Sequence, residues 1–359
     1  MDRRSVIKTT GLAGILAASV APAVHAQQAI RWRMASSFPK NLDTIFGASE
    51  VFSQQVKLMS GGKFEISVHP AGEIMPALGV FDGVQQGSVE CAHTASWYFF
   101  GKNEALTMGT NLPFGMNTRQ MTAWMMDGNG LKLMRELYAK YNIINFPGGN
   151  TCAQMGGWFR KEIKSAADFK GLKFRIGGFT GKIMERLGVV PQNIPGGDIY
   201  PALEKGTIDA AEWIGPYDDL KLGFHKVAPN YYYPGFWEGT AQVDFFFNDK
   251  AFNSLPAEYK AIIENASAYA HQTMIARYDS RNPNALKQLV GMGAKLKPFP
   301  QDLLIAAKKT ADQMYQELND KNDDWKKIYA DYSKFSADAH SWFRFTETQF
   351  DRFMQTTKS

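Results

Sequence analysis

Apolar and polar positions alternate in Ile30-Arg31-Trp32-Arg33-Met34-Ala35, and the polar stretch Ser36-Ser37-Phe38-Pro39 ends the run. Period-two alternation marks a strand with one covered face. From residue 43 to 60 the apolar spacing lengthens to that of an amphipathic helix, closed by Gly61-Gly62. Phe64-Glu65-Ile66-Ser67-Val68-His69 alternates again, a helix over about 77–86 ends at Gly87, and a strand runs through Val89-Glu90-Cys91-Ala92. This β-α-β-α-β order predicts a parallel sheet covered by helices. The pattern further predicts a long helix at about 118–141, strands at 143–147, 152–159 and 172–177, and an apolar strand at 243–247. Leu255-Pro256 opens a helix with proline in its first turn, and beyond it the chain reads as mostly helical.

One stretch repeats. Val84-Gln85-Gln86-Gly87-Ser88-Val89-Glu90-Cys91-Ala92 matches Leu203-Glu204-Lys205-Gly206-Thr207-Ile208-Asp209-Ala210-Ala211 in character at every position. Each is a helix end, a glycine suited to the left-handed turn after it, a hydroxyl residue, a β-branched residue, an acid, then small residues entering a strand. Two copies about 120 residues apart suggest two similar lobes, not a solenoid of 20–50-residue repeats.

The ends and the composition narrow the class. Asp2-Arg3-Arg4-Ser5-Val6-Ile7-Lys8, the apolar run Thr9–Val20 and Val24-His25-Ala26 read as a removable export signal over residues 1–26. The arginine pair resembles a twin-arginine signal; an ordinary secretory signal is the alternative, and both lead out of a bacterial cytoplasm. No later run approaches the ~18 apolar residues of a membrane span. The chain has 359 residues, enough for two lobes, and a formal charge of +5. Arg3, Arg4 and Lys8 against Asp2 supply two of those charges, so the mature chain is too mildly basic to point to nucleic acid. Cys91 and Cys152 are the only cysteines; a disulfide and two buried thiols are both open. The last segment, about 322–356, carries Trp325, Tyr329, Tyr332, Phe335, Trp342, Phe343, Phe345, Phe350 and Phe353, which either close over the core or form an intersubunit surface.

Several chemistries are missing from the pattern. There is no His-Glu-x-x-His, no Cys/His quartet and no Gly-x-Ser-x-Gly. Gly177-Gly178-Phe179-Thr180-Gly181-Lys182 falls short of a phosphate loop, because Ile176 stands in the first glycine's place and Ile183 in that of the Ser/Thr. The histidines at 69, 93, 225, 271 and 340 are scattered. What stands out instead is Arg175, in Leu172-Lys173-Phe174-Arg175-Ile176 just before two glycines. It sits at the C-terminal end of a strand, where open α/β sheets hold ligands, and a guanidinium there suits a carboxylate. Gln154 in an otherwise apolar strand, Glu212-Trp213 at the end of Ile208–Trp213, and Glu238 after the aromatic loop Tyr231–Trp237 stand out likewise. Carboxylates in apolar segments ask for a counter-charge; Arg175 neutralises one, and a hard cation would neutralise both. Trp97, Tyr98 and Phe236 are candidates for an apolar wall, with plain core packing as the alternative.

Leu172-Lys173-Phe174-Arg175, Leu187-Gly188-Val189-Val190-Pro191 and Tyr200-Pro201-Ala202-Leu203-Glu204-Lys205-Gly206-Thr207-Ile208-Asp209-Ala210-Ala211 resemble the solute-binding proteins of tripartite ATP-independent periplasmic (TRAP) transporters. The resemblance implies an α/β, two-lobed periplasmic binding protein with crossing strands, a long connecting helix and a C-terminal helical extension. It places lobe I at 27–151 plus about 240–275, lobe II at 152–239 plus about 276–318, and the extension, a possible dimer element, at 319–359. Gln154, Arg175, Glu212-Trp213 and Glu238 resemble the branch that binds 2-oxo monocarboxylates or lactate with a metal ion. There the matching arginine grips the ligand carboxylate, while the glutamine side chain, both glutamates and the tryptophan main-chain oxygen surround sodium or calcium. Oxygen-only donors agree with a hard cation. Two glutamates and a ligand carboxylate against one guanidinium leave two negative charges, which calcium would cancel and sodium would halve. The expectation is a periplasmic carrier of a pyruvate-like acid, a homodimer that serves a membrane permease and catalyses nothing. The competing readings are a TRAP protein for a dicarboxylate or sugar acid, an exported hydrolase or lyase using Glu212 and Glu238 as acid and base, and a scaffold protein.

Overall fold

The computed structural model describes residues 29–357, so the export signal expected at 1–26 lies outside the described residues. In chain order the elements are β1 (Ile30–Ser36), α1 (Ile45–Met59), β2 (Phe64–His69), α2 (Val80–Gln85), β3 (Cys91–Thr94), α3 (Thr118–Met126), α4 (Gly130–Ala139), β4 (Ile143–Asn150), β5 (Gly157–Phe159), β6 (Lys173–Arg175), α5 (Gly178–Arg186) and β7 (Val190–Gln192). There follow α6 (Gly196–Glu204), β8 (Ala210–Ala211), α7 (Pro216–Leu222), β9 (Asn230–Tyr233), β10 (Gln242–Asn248), α8 (Asp249–Asn253), α9 (Ala257–Gly291), β11 (Lys295–Pro298), α10 (Gln301–Lys321), α11 (Asp323–Phe345) and α12 (Glu347–Thr356).

The strands form two sheets, ordered β2-β1-β3-β10-β4 and β11-β9-β5-β8-β6-β7. Reading the second from its β7 end gives the first sheet's plan. In each, an outer strand pairs parallel with a first strand, which pairs parallel with a third. An antiparallel strand then inserts and carries a further antiparallel neighbour. The inserted strands are exchanged: β5 follows β4 of the first sheet, and β10 follows β9 of the second. The chain therefore crosses between the sheets through two short segments, at 151–156 and 234–241, and a third time through α8 and α9, from β10 to β11. The sequence echo maps onto this plan, because Gly87 (φ 74°) and Gly206 (φ 72°) make equivalent left-handed turns and lead into the equivalent strands β3 and β8.

Packing explains the alternation in β1. Trp32 and Met34 join Phe52 and Val56 of α1, Phe245 and Phe247 of β10, and Ile263 and Ala266 of α9 in one apolar cluster. Burying side chains of this size contributes about 1.5–3 kcal/mol each. β10 is covered on both faces, hence its continuous apolar run. Its exception, Asp244, accepts hydrogen bonds from Asn145 Nδ2 (3.1 Å) and the Tyr138 hydroxyl (3.4 Å), and burial raises its carboxyl to about 7.

Three expectations change. The helix expected at 118–141 is two helices, α3 and α4, broken at Asp127-Gly128-Asn129. Gly128 N–H donates to Ala123 O (2.9 Å), and Cβ atoms at Gly128 or Gly130 would lie 2.7 Å from Trp124. Of the strand expected at 152–159 only Gly157–Phe159 is extended, because residues 151–156 belong to a crossing and bond to the other crossing. The strands at 172–177 and 208–213 shorten to Lys173–Arg175 and Ala210–Ala211; Arg175 stays at its strand's end and Glu212 lies just past its own. Both cysteines are buried free thiols. The C-terminal aromatics divide: Trp325 and Tyr332 are buried in the core, while Trp342, Phe345, Phe350 and Phe353 are exposed.

Candidate functional site

The two crossings run side by side. Thr151 N–H donates to Ala241 O, Ala241 N–H to the Thr151 hydroxyl (both 3.0 Å), and Gly235 N–H to Gln154 O (3.1 Å). Gln154 on one crossing and Glu238 on the other are thereby held at one cavity with Arg175 from the end of β6. Trp213 and Ile214 follow β8 into the same wall, and Trp97 and Tyr98 follow β3. The cavity is small, with about 20 Å³ of room for the centres of water-sized molecules, enough for a water or an ion in this closed arrangement. Arg175 and Trp213 thus come from strand ends of one sheet, Phe38, Trp97 and Tyr98 from strand ends of the other.

Arg175 is only 1% exposed. Its Nε donates to Ile194 O (3.0 Å), and its Nη1 donates to Glu212 O (2.8 Å) and to the Glu212 carboxylate. Its Cζ lies 5.1 Å from the centre of the Trp213 ring, a cation–π contact. Three of the five guanidinium hydrogens are therefore committed within the protein. Nη2 is buried with no partner. The open carboxylate fork expected from sequence is thus half occupied: what Arg175 offers a ligand is the Nη2 edge.

The carboxylates reflect burial first. Burial pushes Glu212 up to about 7 even though Arg175 draws it down. Glu238 is raised well above the usual carboxylate range by burial and by Glu212, against the pull of Arg175 and Gln154. Tyr98 is pushed up to about 12, again by burial. A buried carboxyl held this way favours a cation beside it. Gln154 supplies a further donor: its Oε1 is buried without a partner, because its Nε2 is engaged by the Thr151 hydroxyl (2.9 Å). Gln154 Oε1 and the Glu238 carboxylate at the cavity, with the Glu212 carboxylate behind them against Arg175, offer oxygen donors alone, a chemistry that fits a hard cation and not zinc or copper.

Phe236 lies outside the cavity wall. It stacks on Phe114 (centroids 5.1 Å, planes 22° apart) and packs on Trp237 and Phe299, and its carbonyl, within the second crossing, accepts from Phe114 N–H (2.8 Å). Glu212 stands behind the wall, against Arg175. The wall also contains Phe38, Ile45, Ala95, Thr151, Ala241 and Val243, which were not read from sequence. Phe38 and Ala95 had a signal, since they lie in the loops after the parallel strands β1 and β3; Thr151 and Ala241 are brought in by the crossings, Val243 by β10 and Ile45 by α1.

The model for bacterial extracellular solute-binding protein, family 7 (DctP) matches residues 35–322. Over the full length of both chains, the protein is 44% identical to the monocarboxylate 2-oxoacid-binding periplasmic protein of Nostoc sp. (strain PCC 7120). A TRAP transporter solute-binding protein of Bordetella bronchiseptica superposes with a TM-score of 0.90 at 52% identity, covering 91% of this chain and 97% of that one. That structure is a mixed-occupancy dimer, with copurified calcium and picolinate in one site and the other apo. A TRAP periplasmic solute-binding protein of Pseudoalteromonas atlantica, with bound sodium and pyruvate, superposes with a TM-score of 0.88 at 39% identity, covering 92% and 100%. Two exchanged sheets with a buried arginine at their junction, and a family match over most of the length, place this chain among the family 7 extracellular solute-binding proteins of TRAP transporters.

Proposed function

We propose that the protein captures a 2-oxo monocarboxylate of the pyruvate type together with calcium or sodium in the periplasm, and passes it to a TRAP permease without chemical change. One observation carries this reading. The Nη2 edge of Arg175 and the Oε1 atom of Gln154, one donor and one acceptor, are both buried and unpartnered at a single small, mostly apolar cavity. Unpaired buried groups of this kind cost about 1–3 kcal/mol each, more when charged, so a ligand that satisfies both is favoured strongly. Among the described residues, Arg175 is the only cation in the wall. A second ligand carboxylate would have no counter-charge, which favours monocarboxylates over dicarboxylates and, with so few polar groups, over sugar acids. Lactate, with a hydroxyl in place of the oxo group, remains the nearest competitor.

Gln154, Glu212 and Glu238 would hold the cation, with the Trp213 main-chain oxygen. The cation supplies a Lewis-acid anchor that a 2-oxo or 2-hydroxy acid chelates through oxygens on adjacent carbons. Arg175 orients the carboxylate, and Trp97, Ile45 and Phe38 exclude water from the remainder. Since every charged group here is buried, the acid enters only when the sheets separate, and it stabilises the closed arrangement by bridging both. The related dimer and the exposed aromatic face of α11 and α12 support a homodimer.

Calorimetric titration with pyruvate, with calcium and with a chelator, tests the reading. We expect tight binding with calcium or sodium and at least a hundredfold loss on chelation in sodium-free buffer. Absence of heat with every 2-oxo and 2-hydroxy acid in the presence of either ion overturns it.

A further inference from the structure

We infer that Thr151 is a positioning residue that fixes which end of the Gln154 amide faces the cation. The inference rests on the reading of the site given above. A glutamine side chain is nearly symmetric in shape, but only its oxygen can bind a metal; turned over, it presents an NH₂ group that repels one. Something has to decide between the two orientations, and the Thr151 hydroxyl does so by valence.

A threonine hydroxyl has one hydrogen to give and accepts two hydrogen bonds. At Thr151 all three are used. The hydroxyl donates to Cys152 O (3.3 Å) and accepts from Ala241 N–H (3.0 Å) on the opposite crossing and from Gln154 Nε2 (2.9 Å). Its hydrogen is committed, so an amide oxygen placed against it would meet lone pairs. The Gln154 nitrogen is therefore held at Thr151, and Oε1 is left buried, unpartnered and available. Thr151 itself is 1% exposed and lies in the cavity wall. Because the bond from Ala241 enters the same hydroxyl, the amide is set only while the two crossings lie together.

The test compares full-length wild type, Thr151→Val and Thr151→Ser, each with and without Gln154→Ala. Calcium affinity is titrated at saturating pyruvate, and the melting temperature is recorded without metal or ligand. Valine keeps the shape and removes the hydroxyl; serine keeps the hydroxyl. Thr151→Val is expected to weaken calcium at least tenfold, and Thr151→Ser to stay within threefold of wild type. In the Gln154→Ala background, Thr151→Val should change calcium affinity by less than twofold, because the residue it acts through is gone. Thr151→Ala gives the same comparison where the valine variant does not fold. A Thr151→Val protein that binds calcium as wild type does, a serine variant as weak as the valine one, or an undiminished valine effect on Gln154→Ala overturns the inference while leaving the functional reading intact. Wild type that binds neither calcium nor sodium with any 2-oxo acid overturns both.

Discussion

Arg175 shows how far one side chain can be read before its partners are known. Its type and its place before two glycines were legible at once, and the structure leaves it at the strand end expected. What could not be read is how much of the guanidinium the protein keeps for itself, because Ile194 and Glu212 lie 19 and 37 residues away. That division makes a specific prediction. Arg175→Lys retains the charge, and so does not strand Glu212 as a buried unpaired carboxylate, but it loses the Nη2 edge. Pyruvate affinity by calorimetry should fall at least tenfold with the fold's melting temperature nearly unchanged; equal affinity would mean that charge alone anchors the acid. Asp244 offers a second residue-scale test, away from the site. Its folded carboxyl titrates near 7, its unfolded one near 3.9. Between those values the unfolded chain gives up a proton that the folded chain keeps, so stability falls as pH rises, by at most about 1.4 kcal/mol per pH unit. Asp244→Asn cannot ionise. Its stability relative to wild type, measured by denaturant unfolding, should therefore increase from pH 5 to pH 7 and level off by pH 8; a constant difference would contradict the assignment.

Among the elements, junctions were more informative than interiors. The helix-glycine-strand echo identified the two equivalent places, β3 and β8, because a left-handed glycine is required by backbone geometry whatever surrounds it. The break between α3 and α4 was written in Asp127-Gly128-Asn129-Gly130, and apolar periodicity masked it. The apolar neighbours of Gln154 predict a strand, yet those residues are apolar through burial in a crossing, a distinction that only tertiary structure makes. Gly177-Gly178 was legible as a strand breaker but not as a receptacle. A Cβ at either glycine would lie 2.2 or 2.1 Å from the Trp97 ring, and Gly178 has φ 58°. The start of α5 is thus the slot into which the other sheet's tryptophan fits, directly after the arginine strand; Trp213 fits Gly196 at the start of α6 in the same way, at 2.4 Å. Gly178→Ala should therefore hold Trp97 out of its slot and obstruct closure. We expect pyruvate affinity to fall ten- to a hundredfold, with greater solvent exposure of tryptophan fluorescence in the presence of ligand. An alanine variant that binds and quenches as wild type does would show that the slot is not needed.

At the scale of the molecule, the exchange of β5 and β10 makes the two sheets one cooperative object and locates the ligand on the joints themselves. A second set of contacts spans the same division away from the cavity. Asp43, in the loop after β1, pairs with Arg281 of α9 (2.7 Å), with Lys221 of α7 and with the Tyr217 hydroxyl (3.1 Å). Its carbonyl accepts from Arg277 (3.0 Å), and neighbouring Thr44 donates to the buried Asp218 of α7, which also accepts from Tyr278 (2.7 Å). Both ends of this cluster continue into the cavity wall, through Phe38 and Ile45 on one side and Ile214 on the other. The charged pairs are a quarter to a half exposed, so each is worth little alone and is screened by salt. Acting together in the closed arrangement, they should bias the equilibrium that the ligand also biases, and free energy given to closure by one appears as affinity in the other. Asp43→Ala is expected to reduce pyruvate affinity about three- to tenfold with little change in the melting temperature of the ligand-free protein. Raising salt from 0.05 to 0.5 M should weaken the wild type more than the variant, since only the wild type has those pairs to screen. Equal salt dependence in the two, or an unchanged affinity, would mean that closure is governed by the ligand and the crossings alone.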